Sequence, residues 1–141
     1  MKAFAVDFET FYDEEISITT LGATEYLRHK EVYPYLVSIY GPGVRYCGSP
    51  KKAPWSEIAG HTWVSHNAYF DELVFKIGLQ RKFFRTSARP EVWEDTYDLA
   101  GYLNYPRSLA AFAFQALHIT VNKDPRGFMK GKHFEDLDPV K

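Results

Sequence analysis

The chain has 141 residues, 45% of them hydrophobic and 25% charged, a composition that fits one folded domain and excludes a disordered or fibrous chain. A net charge of −1 argues against a broad basic face for coating duplex DNA and leaves room for a small nucleic-acid site where bound cations share the neutralisation of phosphate. The single cysteine, Cys47, excludes an internal disulfide and a cysteine-built zinc site, so any metal is held by oxygen or imidazole. No apolar run reaches the roughly 18 residues that span a bilayer. The opening MKAFAVDFET places two acids where a secretory leader needs an unbroken apolar stretch, so a cytoplasmic location is expected, with no membrane partner.

In chain order, Ala3-Phe4-Ala5-Val6 running into Asp7-Phe8-Glu9-Thr10 reads as a buried strand over 2–10 whose end carries polar groups. Val32 to Tyr40 is β-branched and aromatic, and Gly41-Pro42-Gly43 then turns the chain into Val44-Arg45-Tyr46-Cys47, a hairpin. Thr62-Trp63-Val64-Ser65 is a further strand. After it, Phe70, Leu73, Val74 and Ile77 have helical spacing, with Asn67 placed to cap the helix and Gly78 to end it. Asp95 and Thr96 are cap candidates for a second helix carrying Leu99, Tyr102 and Leu103, stopped by Pro106. Ser108 caps a third, with Leu109, Phe112, Ala113 and Ala116 on one face and an exit at His118 to Val121. Beyond Asn122 the chain is polar and aperiodic. Strands first, then strand and helices around one sheet, predict a layered α/β fold.

Asp7 and Glu9 are two apart on a strand, so both project from one face and can converge on one cation. A solvated pair is the alternative for a bare Asp-x-Glu. Their position after an apolar run favours compensation by a positive charge, because carboxylates beside a core cost several kcal/mol when unpaired. Asp71 lies in the first turn of the best helix, where an acid is also explained by about 0.3 to 1 kcal/mol of helix-dipole stabilisation. Together the three form a set of hard oxygen donors suited to Mg²⁺ or Mn²⁺.

Asp7-Phe8-Glu9-Thr10 resembles the first motif, and Asn67-Ala68-Tyr69-Phe70-Asp71 the second, of the DEDD 3′-to-5′ exonuclease superfamily. Within it the chain is most similar to the proofreading domains of bacteriophage family A DNA polymerases, to which Glu94-Asp95-Thr96, Ala100 and Ser108-Leu109 add a weaker likeness. The resemblance implies an RNase H-like mixed sheet, an antiparallel meander followed by a parallel strand, flanked by helices. It implies Asp7, Glu9 and Asp71 as catalytic metal ligands for two Mg²⁺ or Mn²⁺ ions, and Thr10 and Asn67 as contacts to the terminal nucleotide. The substrate implied is a single-stranded DNA 3′ end, and the partner a DNA polymerase.

A third motif, Tyr-x-x-x-Asp or His-x-x-x-Asp, is expected after the third helix and is not found. His133 has Asp136 and Asp138 nearby, but the fourth position along is Leu137. The expectation is one exonuclease-like domain over 1–141 that stops before this motif, lacking a fourth acid and a general base, the latter typically worth 10² to 10⁴-fold in rate. The alternative is an inactive module of the same fold that binds nucleic acid or docks on a polymerase. Among weaker signals, Phe11 is preferred over Phe70 for stacking on a base, since Phe70 belongs to a core-facing helical stripe. His66 is left out of the metal set, and Lys123, Arg126, Lys130 and Lys132 read as a solvated basic stretch.

Overall fold

The computed structural model describes residues 1–121 and 129–132. Strand β1 (Ala3–Thr10) alternates strictly, with Phe4, Val6, Phe8 and Thr10 buried and Ala3, Ala5 and Asp7 exposed. Two short helices follow, α1 (Ile18–Leu21), opened by a Ser17–Thr20 capping box, and α2 (Ala23–Arg28), which buries Tyr26 and Leu27. The hairpin β2 (Pro34–Gly41) and β3 (Val44–Gly48) turns at Gly43, whose φ of 77° favours glycine. A 3-10 turn (Pro50–Lys52) and α3 (Trp55–Ile58) lead to β4 (Thr62–Ser65), α4 (Ala68–Gln80), β5 (Val92–Asp95), α5 (Thr96–Tyr102) and α6 (Leu109–Leu117).

The sheet order is β3-β2-β1-β4-β5. β1 pairs antiparallel with β2 and parallel with β4, and β4 pairs parallel with β5, which is the expected mixed α/β arrangement. One face of the sheet holds the core: Phe4, Val6, Phe8, Val37, Ile39 and Trp63 pack with Val74, Phe75 and Ile77 of α4. Aromatics dominate it. Trp55 contacts the rings of Phe8, Trp63, Phe75 and Phe84, and the indole N–H groups of Trp55 and Trp63 donate to the carbonyls of Pro50 and Ile58. Buried indoles therefore leave no unpaid donor.

Two expectations about α4 need correction. Asn67 occupies the N-cap position in a left-handed conformation (φ 70°), and its side chain makes no capping bond. Gly78 lies inside the helix, which continues to Gln80; a Cβ there would sit 2.5 Å from Phe84 Cε1, so the glycine admits a core ring. The other caps follow the sequence: Asp95 accepts from the Tyr97 amide and Ser108 from the Ala111 amide, and His118 ends α6 in a left-handed turn. α6 buries none of its residues, and Leu99, Tyr102 and Leu103 of α5 and its C-cap are exposed. Among the described residues no helix is long and apolar enough to cross a membrane.

Candidate active site

β1 and β4 are paired only from Ala3↔Thr62 to Ala5↔Val64. Past Ser65, whose hydroxyl donates to the Val6 carbonyl at 2.6 Å, β4 leaves β1 and the chain turns into α4. Asp71, in the first turn of α4, fills the crevice that opens there. Its Oδ1 accepts the Phe8 amide at 3.0 Å, and the residue is 3% exposed. Crevices beyond the carboxyl ends of diverging parallel strands are the usual ligand sites of open α/β sheets.

The electrostatics of Asp71 are unusual. Its pKa is pushed up from 3.8 to about 8, first by burial, against the lowering effect of the Phe8 amide, and then by the charges of Asp7, Glu9 and Asp95. Asp7, Glu9 and Asp71 thus share one field, as do the residues around Glu9. Burial and the Glu9 charge raise Tyr26, and burial followed by Glu9, Tyr12, Tyr26 and Tyr33 pushes Tyr35 up to about 12.

Sharing a field is not the same as forming a ligand cage. Among the described residues no three His, Cys, Asp or Glu side chains are gathered closely enough to hold a metal. The geometry explains the spacing: Asp7 and Glu9 stand on the face of β1 opposite the core, whereas Asp71 approaches with α4 from the core side and keeps an oxygen on the Phe8 amide.

The residues expected to touch substrate are placed as follows. Asn67 is exposed, and its backbone amide donates to Asp95 Oδ1 at 2.9 Å. Thr10 is 8% exposed and its hydroxyl lies 2.8 Å from the Tyr26 hydroxyl. Because the Tyr26 proton is donated to the Phe11 carbonyl, Thr10 is the donor in that pair and retains only accepting capacity. Phe11 is 5% exposed, so a base would reach its ring only after its neighbours move, and Phe70 is half-buried against the core. Lys130 pairs with Glu14 at 3.3 Å, while Lys123, Arg126, His133, Asp136 and Asp138 lie outside the described residues.

His66 has a structural task. Its Nε2–H donates to the Arg107 carbonyl at 2.6 Å and its Nδ1 lies 2.9 Å from Thr96 Oγ1, which ties the end of β4 to α5 and to the loop before α6. Asp95 adds a second tie, accepting from the amides of both Asn67 and Tyr97. Asp95, read in sequence as a cap candidate and as part of the weaker Glu94-Asp95-Thr96 likeness, also contributes to the field on Asp71. A cleft of about 630 Å³ that includes Phe75, Lys76, Arg89 and Trp93 lies along the flank of α4 and contains none of the three carboxylates.

No family model matches the chain, and no curated protein matches it. Two solved structures are similar: NrnC from Brucella melitensis with bound Mg²⁺, and the same protein bound to pGG, each with 20% identity and a TM-score of 0.54. The likeness is one of fold. It covers 86% of this chain and 56% and 55% of those chains, so the chain spans about half the length of the solved structures it matches.

Proposed function

We propose that the chain is a metal-dependent 3′-to-5′ exonuclease domain acting on single-stranded DNA ends. The observation that carries this reading is Asp71: an acid buried where β1 and β4 part, its proton retained up to about 8 by burial and by the charges of Asp7, Glu9 and Asp95. Such a field is relieved by a cation, and a donor set made only of carboxylates suits Mg²⁺ or Mn²⁺. Support comes from NrnC, which has this fold and is found with Mg²⁺ and with pGG.

Two bound divalent ions would supply an activated water and a counter-charge for the leaving 3′ oxygen. On this reading Asp7 would serve both ions, Glu9 the one that supplies the water and Asp71, once deprotonated and moved off the Phe8 amide, the one that meets the leaving oxygen, since the three side chains are not gathered around one point in this structure. Asn67, exposed at the start of α4, orients the terminal nucleotide, and Thr10 accepts from it. Phe11 and Phe70 serve as base contacts only after local rearrangement. The finer assignment, to a proofreading domain of the phage polymerase type working beside a polymerase, rests on the motif resemblance, as does the need for a third motif supplying a fourth acid and a base.

The test is thermal unfolding with and without 5 to 10 mM-scale Mn²⁺, in wild type and in Asp7→Ala. A ligand that binds only the folded chain stabilises it as RT ln(1 + [L]/Kd). A rise in Tm that Asp7→Ala abolishes supports the reading, and an equal rise in both proteins removes Asp7 from the ion site.

A further inference from the structure

Arg107, in the loop before α6, carries a charge that the proposed chemistry leaves unused. Its guanidinium lies over the Tyr97 ring, 5.0 Å from the centroid. It also lies against the backbone of α5, where a Cβ on Gly101 would fall 2.2 Å from Nη2 and 2.5 Å from Cζ. Glycine at this helical position therefore makes the space in which the guanidinium rests. Its own carbonyl is held by His66.

Arg107 differs from the arginines that are held by carbonyls and resembles Arg45 in having a ring contact alone among the described residues. Arg81 donates to the carbonyls of Leu27, Val32 and Lys30, and Arg89 to those of Thr86 and Ala88. Arg107 has no such acceptor and no carboxylate partner among the described residues. Gly101, next to the last residue of α5, leaves the space that the guanidinium occupies. The place matters too. Tyr97 and Asn67 share Asp95 as hydrogen-bond acceptor, and His66 precedes Asn67, so the Tyr97–Arg107 pair is coupled to the start of the helix that carries Asp71. Exposed Tyr69 (65%) lies in the same first turn.

We propose that Arg107, set between the Tyr97 ring and the Gly101 backbone and tied by its carbonyl to His66, binds a phosphate of a single-stranded nucleic acid whose end enters the carboxylate crevice. This rests on the reading of the crevice as a nuclease site. A planar guanidinium with free donors suits a phosphodiester, giving paired hydrogen bonds as well as charge, and a stacked arginine loses little freedom when it forms them. Exposed Tyr69 offers a face on which a flanking base stacks without sequence preference.

The experiment measures binding of a fluorescein-labelled oligothymidylate with a phosphorothioate 3′ end, which resists cleavage, by anisotropy in Mg²⁺ over a range of salt. Wild type is compared with Arg107→Gln, Arg107→Lys, Gly101→Ala and Arg45→Gln. Arg45 also lies over an aromatic ring, Tyr40 at 5.4 Å, but on the far strand of the sheet, so its variant is the matched control. Loss of one charged contact is expected to weaken Arg107→Gln about 10-fold, and to lower the slope of log K against log salt by about 0.7, the value for one phosphate on a single strand. Arg107→Lys keeps the slope with intermediate affinity, Gly101→Ala weakens binding at unchanged net charge, and Arg45→Gln matches wild type. If Arg107→Gln binds with the affinity and slope of Arg45→Gln, the phosphate site is refuted while the nuclease reading stands. If wild type does not bind the strand at all, both are refuted.

Discussion

Replacing Asp71 by Asn tests the electrostatics of the crevice without any assumption about a ligand. The carboxyl is 3% exposed and has a pKa of about 8 in the folded chain against an ordinary value of 3.8. An acid whose pKa is raised by folding binds more protons folded than unfolded, so its contribution is intact below the unfolded pKa and is lost as pH climbs through the folded one. The window here is pH 4 to 8. At 1.36 kcal/mol per unit, and allowing about a unit in the folded value, the loss across that window is about 4 to 6 kcal/mol before relaxation of the site reduces it. Asn has the same shape, stays neutral and still accepts the Phe8 amide. Urea unfolding followed by tryptophan fluorescence, in EDTA, reports through the buried Trp55 and Trp63. Asp71→Asn and wild type should be similar below about pH 4, and the variant should be the more stable by several kcal/mol at pH 9. Other groups far from the crevice cancel in the difference. A difference that does not change with pH, or a variant less stable at pH 9, would refute the assignment of a buried, field-raised acid.

Other expectations follow from single contacts. Tyr26→Phe removes the hydroxyl that joins Thr10 to the Phe11 carbonyl; it should cost about 1 to 3 kcal/mol in urea unfolding, because a buried carbonyl loses its donor. Gly78→Ala should destabilise by about 1 to 3 kcal/mol despite better helix propensity, since the new methyl meets the Phe84 ring in a packed core, and a Tm above wild type would contradict that packing. His66→Ala should loosen α5 and α6 while sparing the core. Hydrogen exchange should then quicken over 96–117 and stay unchanged in β1 and β2; uniform quickening would mean that the His66 ties to Thr96 and Arg107 have no local role.

Much of the fold is written locally in the sequence. The apolar run Ala3 to Val6 breaking into Asp7 marks β1, turn residues around Gly43 mark the hairpin, and Phe70, Val74 and Ile77 mark α4. What escaped is short or tertiary. α1, α2 and α3 have four to six residues, too few to show a period. β5, with four residues after Pro90, is a strand because β4 pairs with it. Gly78 resembles a stop signal until Phe84 is packed over it. For the site, the shared face of Asp7 and Glu9 follows from strand geometry, but the burial of Asp71 does not. An acid in a first helical turn is ordinarily exposed, and only the parting of β1 from β4 encloses this one. Arg107 likewise reads as a loop charge until Gly101 and Tyr97 are brought against it.

Asp7, Glu9 and Asp71 are proposed to serve strand-end hydrolysis. The most direct test is gel analysis of a 5′-labelled single-stranded DNA incubated with excess protein and Mn²⁺. The expected result is slow, stepwise shortening from the 3′ end, abolished by EDTA and by Asp7→Ala and accelerated when a chain segment carrying Tyr-x-x-x-Asp or His-x-x-x-Asp is supplied. Cleavage at internal positions, or shortening that persists with EDTA or in Asp7→Ala, would contradict it.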